Sequence, residues 1–193
     1  SFAENRMRTI LMPFVALFLL FGPSNGEAGQ TASREFSHAN KLFSEARYTE
    51  ALPVYQRLLI ARTDKVPPGV LCTRIGDCYF RLGDYKNAIH AYRSALQYQK
   101  NAERAATQYW IGMSTFLHGN DADAITEFLK IPEHYPQSGM WVSTAYYWAG
   151  KACERMGNKN RAAIYYRKAG GTGASTHERF ALKKAKTLNA GGR

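Results

Sequence analysis

One pattern restricts this chain more than any other. A small residue stands at Ala39, Gly76, Gly112 and Gly150, at intervals of 37, 36 and 38 residues, and further shared residues follow each at matching distances. In the clearest copy Gly76 is followed by Tyr79, Gly83, Tyr85, Ala88, Tyr92 and Ala95. The next keeps Ile111, Gly112, Gly119, Ala124, Phe128 and Pro136 but has Thr115 and Asp121 at the two early aromatic places. A later copy keeps Ala149, Gly150, Gly157, Ala162, Tyr166 and Ala169 and departs at Cys153 and Lys159. Upstream, Ala39, Tyr48, Ala51 and Tyr55 mark a weaker copy in which Leu58 replaces the last alanine. A unit of this length cannot bury its own apolar face, so the copies must stack.

The copies resemble the tetratricopeptide signature, which implies that each is a pair of antiparallel helices. Small residues on one helix admit aromatic rings from the other, and the turn glycines take left-handed conformations at helix ends. Strand-like alternation is missing. Pro53 falls early in a second helix, where a lost amide costs little, and Pro67-Pro68-Gly69 separates the first two copies.

These residues resemble the tetratricopeptide signature, over roughly residues 33–169. The resemblance implies an all-α superhelical solenoid of about four repeats, approximately 32–66, 69–100, 105–136 and 139–170, within a domain spanning 29–175. A capping helix is expected at 176–190, with a capping box from Ser175 to Glu178 and an apolar stripe of Phe180, Ala181, Lys184, Ala185 and Leu188. Residues 191–193 form a tail.

Ahead of the repeats, Met7-Arg8 leads into Ile10–Phe21, twelve residues without a charge. A membrane-crossing helix needs about 20 apolar residues, so this run is too short to span. It fits the apolar region of a signal peptide over 7–28, with breakers from Gly22 to Gly26 and cleavage after Ala28; a short buried core helix is the other reading. The first gives a periplasmic or secreted protein with no transmembrane anchor after cleavage. The odd count of cysteines, Cys72, Cys78 and Cys153, argues against a disulfide framework and for small buried side chains.

Nothing in the spacing of acids, bases and nucleophiles assembles a catalytic set, so a non-enzymatic role is expected, without cofactor or metal. The five histidines have no partner histidine three or four residues away, and no Cys-x-x-Cys occurs. Gly170-Gly171-Thr172-Gly173 lacks the lysine and the preceding strand of a phosphate loop and reads as a connector.

Function then rests with surfaces. The family's groove-facing places in each first helix carry over to Phe36 and Asn40, to Arg74, Asp77, Phe80 and Arg81, to Tyr109, Trp110, Met113 and Phe116, and to Tyr147, Trp148 and Lys151. A groove aromatic in its centre and charged on either side suits a protein or peptide partner. Tyr109, Trp110, Tyr147 and Trp148 are equally suited to wedge between repeats.

Charge is uneven. Residues 29–149 hold 13 Lys and Arg against 11 Asp and Glu, whereas 150–193 hold 11 against 2. Arg155, Lys159, Arg161, Arg167, Lys168, Arg179, Lys183, Lys184 and Lys186 make a basic end suited to an anionic envelope surface, or simply to solubility; the compartment disfavours nucleic acid. The runs Tyr135-Pro136-Gln137-Ser138 and Ala145-Tyr146-Tyr147-Trp148-Ala149-Gly150 are similar to those of bacterial periplasmic and envelope repeat proteins such as the Tol-Pal system coordinator. That likeness implies a cell-envelope adaptor, with an accessory module of peptidoglycan metabolism, binding glycan or recruiting a wall enzyme, as the alternative.

Overall fold

Short turns decide where the helices stop. Gly83, Gly119 and Gly157 take φ of +78°, +93° and +77°, a region that costs glycine nothing. The residue after each closes the finished helix with a bond five residues back, from the amides of Asp84, Asn120 and Asn158 to the carbonyls of Tyr79, Thr115 and Cys153. The same three side chains then cap the next helix by accepting from the amides of Asn87, Asp123 and Arg161. The first turn has the same closure, Arg47 amide to Leu42 carbonyl, but with Ala46 at φ +60° and no side-chain cap from Arg47.

In a computed structural model the residues described are 25–62, 64–171 and 177–190. They form helices α1 (Asn25–Ser44), α2 (Tyr48–Ala61), α3 (Pro68–Arg81), α4 (Tyr85–Tyr98), α5 (Asn101–Leu117), α6 (Asp121–His134), α7 (Gly139–Arg155), α8 (Lys159–Gly170) and α9 (His177–Ala190). No strand occurs among the described residues. Each helix packs on the next, and α5 meets α7 while α7 meets α9, so the odd-numbered helices share one side of an all-α stack.

The rings of the second helices lie where the sequence places them. A Cβ added at Gly76, Gly112 or Gly150 would come within 2.6, 2.6 and 2.8 Å of Tyr92, Phe128 and Tyr166. These rings and Tyr55, opposite Ala39, are at most 1% exposed. The three cysteines are buried and unpaired, and burial pushes the Cys78 thiol up to about 12.

Four expectations change. Phe180 does not join the apolar stripe of α9: it is 67% exposed, and Leu182 instead lies over Gly170. Pro53 is the sixth residue of α2, past its first turn, and the carbonyl it leaves unbonded belongs to exposed Thr49. Asn25 and Gly26, read as breakers, lie within α1. Met113 and Phe116, read as groove residues, are core residues, only 6% and 8% exposed. Most of the signal segment 7–28, Ser175 of the capping box and the tail lie outside the described residues. No helix among the described residues is long and apolar enough to cross a membrane.

Candidate groove on the first-helix face

The shared side of α1, α3, α5, α7 and α9 is built by one contact repeated along the stack. The residue four places after the small residue of one repeat meets the residue two places before that of the next. Phe43 lies under the Arg74 guanidinium at 5.6 Å, Phe80 meets Trp110 edge-to-face at 5.1 Å, Phe116 meets Trp148 at 5.4 Å, and Lys184 Nζ donates to Glu154 Oε1 at 2.7 Å. The two places are six residues apart, about 120° around the helix, so one faces the preceding first helix and the other the next. Edge-to-face aromatic pairs contribute about 0.5–1.5 kcal/mol beyond the area they bury.

Most proposed groove residues therefore have structural work. Phe36 packs edge-on against Tyr55 at 6.0 Å. Asn40 and Asp77 accept the hydroxyls of Tyr55 and Tyr92, each at 2.8 Å, and burial raises the Asp77 carboxyl although Tyr92 and Arg74 oppose it. Tyr166 donates likewise to Glu154 at 2.7 Å. In the third repeat the ring is Phe128 and the place of Asn40 and Asp77 holds Met113, so hydroxyl and acceptor are lost together. Tyr109 touches Trp110 and Trp141, both at 5.2 Å, and burial pushes its hydroxyl up to about 12. Tyr147 lies against Tyr166 at 5.7 Å. Arg81 is exposed and Lys151 half-buried.

Open space remains between α3 and α5, where a depression of about 380 Å³ is lined by Val70, Thr73, Arg74, Asp77, Gln99, Glu103, Ala106, Thr107 and Trp110. Three groove residues, Arg74, Asp77 and Trp110, converge there. Its walls combine one ring, short apolar side chains, two carboxylates and a guanidinium 3.6 Å from Asp77.

The basic end divides in two. Arg155 stacks over Phe116 at 3.7 Å and donates to Asp121 at 2.7 Å; Lys184 holds Glu154; Arg161 donates to the Tyr165 hydroxyl; and Lys168 lies 5.4 Å from the Tyr146 ring. Lys159, Arg167, Arg179, Lys183 and Lys186 stay exposed. Sequence reasoning overlooked Glu127, which is 6% exposed and bound by Arg93, Lys130 and Gln108 at 2.9, 2.8 and 2.8 Å. Its signal was a carboxylate inside the apolar run Ile125–Leu129. Among the described residues no group of three metal-ligating side chains converges.

Residues 70–102, 106–138 and 143–169 each match a tetratricopeptide-repeat family profile. No curated protein sequence matches the chain. Among solved structures, the C-terminal part of a TPR repeat-containing protein from Cytophaga hutchinsonii aligns at 20% identity over 80% of this chain and 58% of that one, with a TM-score of 0.61. The apo form of RapI aligns at 11% identity over 92% and 53%, with a TM-score of 0.74. YrrB, described as a TPR protein with an unusual peptide-binding site, aligns at 20% over 81% and 74%, with a TM-score of 0.62. The chain thus spans little more than half the length of the first two. Three matched segments and the repeated glycine-to-ring packing agree: the chain is built of tetratricopeptide repeats stacked as an all-α solenoid.

Proposed function

We propose that this protein is a non-catalytic adaptor of the bacterial cell envelope that holds an extended or helical partner segment on the first-helix face, centred on the depression between α3 and α5. The observation that carries the reading is that depression, where an aromatic, a cation and two carboxylates line a space of about 380 Å³. An apolar anchor beside Trp110 with polar groups toward Arg74, Asp77 and Glu103 suits it. The envelope setting rests on the apolar run Ile10–Phe21 behind Met7-Arg8.

Trp110 and Trp148 are rungs, so replacing them tests the stack as much as the groove. Ala106→Arg is the cleaner probe, because Ala106 is a half-buried wall residue and a long cation fills the space. Affinity capture from envelope extract should lose its specific partner with this variant while helicity is unchanged. Retention of every partner would overturn the groove reading. Sedimentation of the protein with purified wall sacculi, undiminished by Ala106→Arg, would favour the peptidoglycan accessory role instead.

A further inference from the structure

The ion pair between Glu154 and Lys184 fixes α9 in the register of a fifth first helix. Ala181, Ala185 and Leu188 then fall where Leu71, Ile75 and Cys78 stand in α3, and they pack inward in the same way. The place of Gly76, Gly112 and Gly150 falls on Lys186. In the earlier pairs that glycine receives a ring of the second helix closer than a Cβ would permit, so a lysine there refuses such a helix. The outer half of α9 is therefore not an unfinished repeat.

What that half carries is specific. At 100° per residue, Arg179, Lys183 and Lys186 fall within an arc of about 60°. Phe180, 67% exposed, and Leu182, 40% exposed, flank them. Lys184, the fourth cation of the helix, is already bound to Glu154. Three exposed cations select an anionic partner. An exposed ring beside them selects one with an apolar interior, since a soluble polyanion gives Phe180 nothing to enter, and a second copy of the helix would bring like charges together. We infer that the outer face of α9 docks on an anionic lipid bilayer, with Arg179, Lys183 and Lys186 at the headgroup phosphates and Phe180 in the acyl boundary.

Flotation of the full chain with vesicles of phosphatidylcholine alone, and of phosphatidylcholine containing phosphatidylglycerol, tests this. The run Ile10–Phe21 is common to every variant, so the readout is the ratio of binding to anionic over neutral vesicles. Each cation at such a surface contributes about fivefold, so Lys183→Gln with Lys186→Gln should lower the ratio about 25-fold. Phe180→Ala should weaken binding to the anionic vesicles about tenfold at unchanged helicity. Ala106→Arg should leave both values alone, which separates this surface from the groove. A wild-type ratio near one, or a ratio unmoved by the lysine substitutions, would overturn the inference. So would binding indifferent to Phe180→Ala and displaced by polyglutamate, which would make the partner an acidic macromolecule.

Discussion

Replacing Ala46 by glycine should stabilise this protein, the reverse of the usual effect of that substitution. Ala46 takes φ +60° in the same helix closure that Gly83, Gly119 and Gly157 make in the later repeats. Its side chain is exposed, so removing the methyl group forfeits little packing. A residue with a Cβ is disfavoured in the left-handed region by about 1–2 kcal/mol, and glycine in turn loosens the unfolded chain by about 0.4–1 kcal/mol. The difference leaves a gain of about 0.5–1 kcal/mol, or about 2 °C in the melting temperature of a chain this size. Gly83→Ala is the mirror experiment. Nothing lies within 4 Å of a Cβ there, so its loss of similar size would be conformational alone. Urea unfolding followed by circular dichroism measures both, and exchange of the Arg47 amide, bonded to Leu42, reports the first turn locally, which matters where a repeat stack opens piecewise. Ala46→Gly less stable than wild type, or Gly83→Ala equally stable, would refute the argument.

Gly112→Ala sets helix propensity against space. Propensity favours alanine by about 1 kcal/mol, overpacking against a ring 2.6 Å away costs about 1–3 kcal/mol, and thermal unfolding should show a net loss of about 1 kcal/mol. A stabilised variant would mean that Phe128 retreats freely. Glu127→Gln should cost about 1.5–3 kcal/mol at neutral pH, the range for hydrogen bonds to a charged group. Burial raises the Glu127 carboxyl, but Lys130, Gln108 and Arg93 outweigh it and hold the net value below that of an ordinary glutamate. A depressed folded value means that the stabilisation is complete above the unfolded value of about 4.3 and disappears as pH falls through the folded one. Urea titrations should accordingly show the gap between wild type and Glu127→Gln closing on acidification, and a gap constant down to pH 3 would contradict the assignment.

The fold was legible because its determinants are short-range and periodic. Gly76 with Tyr92, or Gly150 with Tyr166, is a one-to-one steric match of a small residue and a ring, repeated at a fixed interval. The site was less legible because a helix offers several edges. Carrying groove places over by position named Arg74, Asp77 and Trp110, which line one depression, but also Met113 and Phe116, whose exposure depends on how far the neighbouring helix slides across them. Phe180 failed for a related reason. An apolar residue in an amphipathic helix counts toward the buried stripe in any periodicity argument, and only the register imposed by Lys184 on Glu154 turns it outward.

The rungs also determine which parts of the stack hold firm. The two middle steps, Phe80 on Trp110 and Phe116 on Trp148, join uncharged rings, so salt screening has no charge to act on there. Each outer step carries a charged side chain: Arg74, 40% exposed, lies over the Phe43 ring, where such a contact contributes about 0.5–1 kcal/mol, and the Lys184–Glu154 pair, 43% and 28% exposed, is a surface ion pair of about 0–1 kcal/mol that salt screens in part. In a stack coupled only through neighbours, weak outer steps let the end helices open without disturbing the centre. The depression between α3 and α5 sits on an aromatic step and keeps its shape. At the far end α9 is held by the Lys184–Glu154 pair, by Ala181, Ala185 and Leu188 in the core and by Leu182 over Gly170, so the salt-sensitive part of its docking is the ion pair alone.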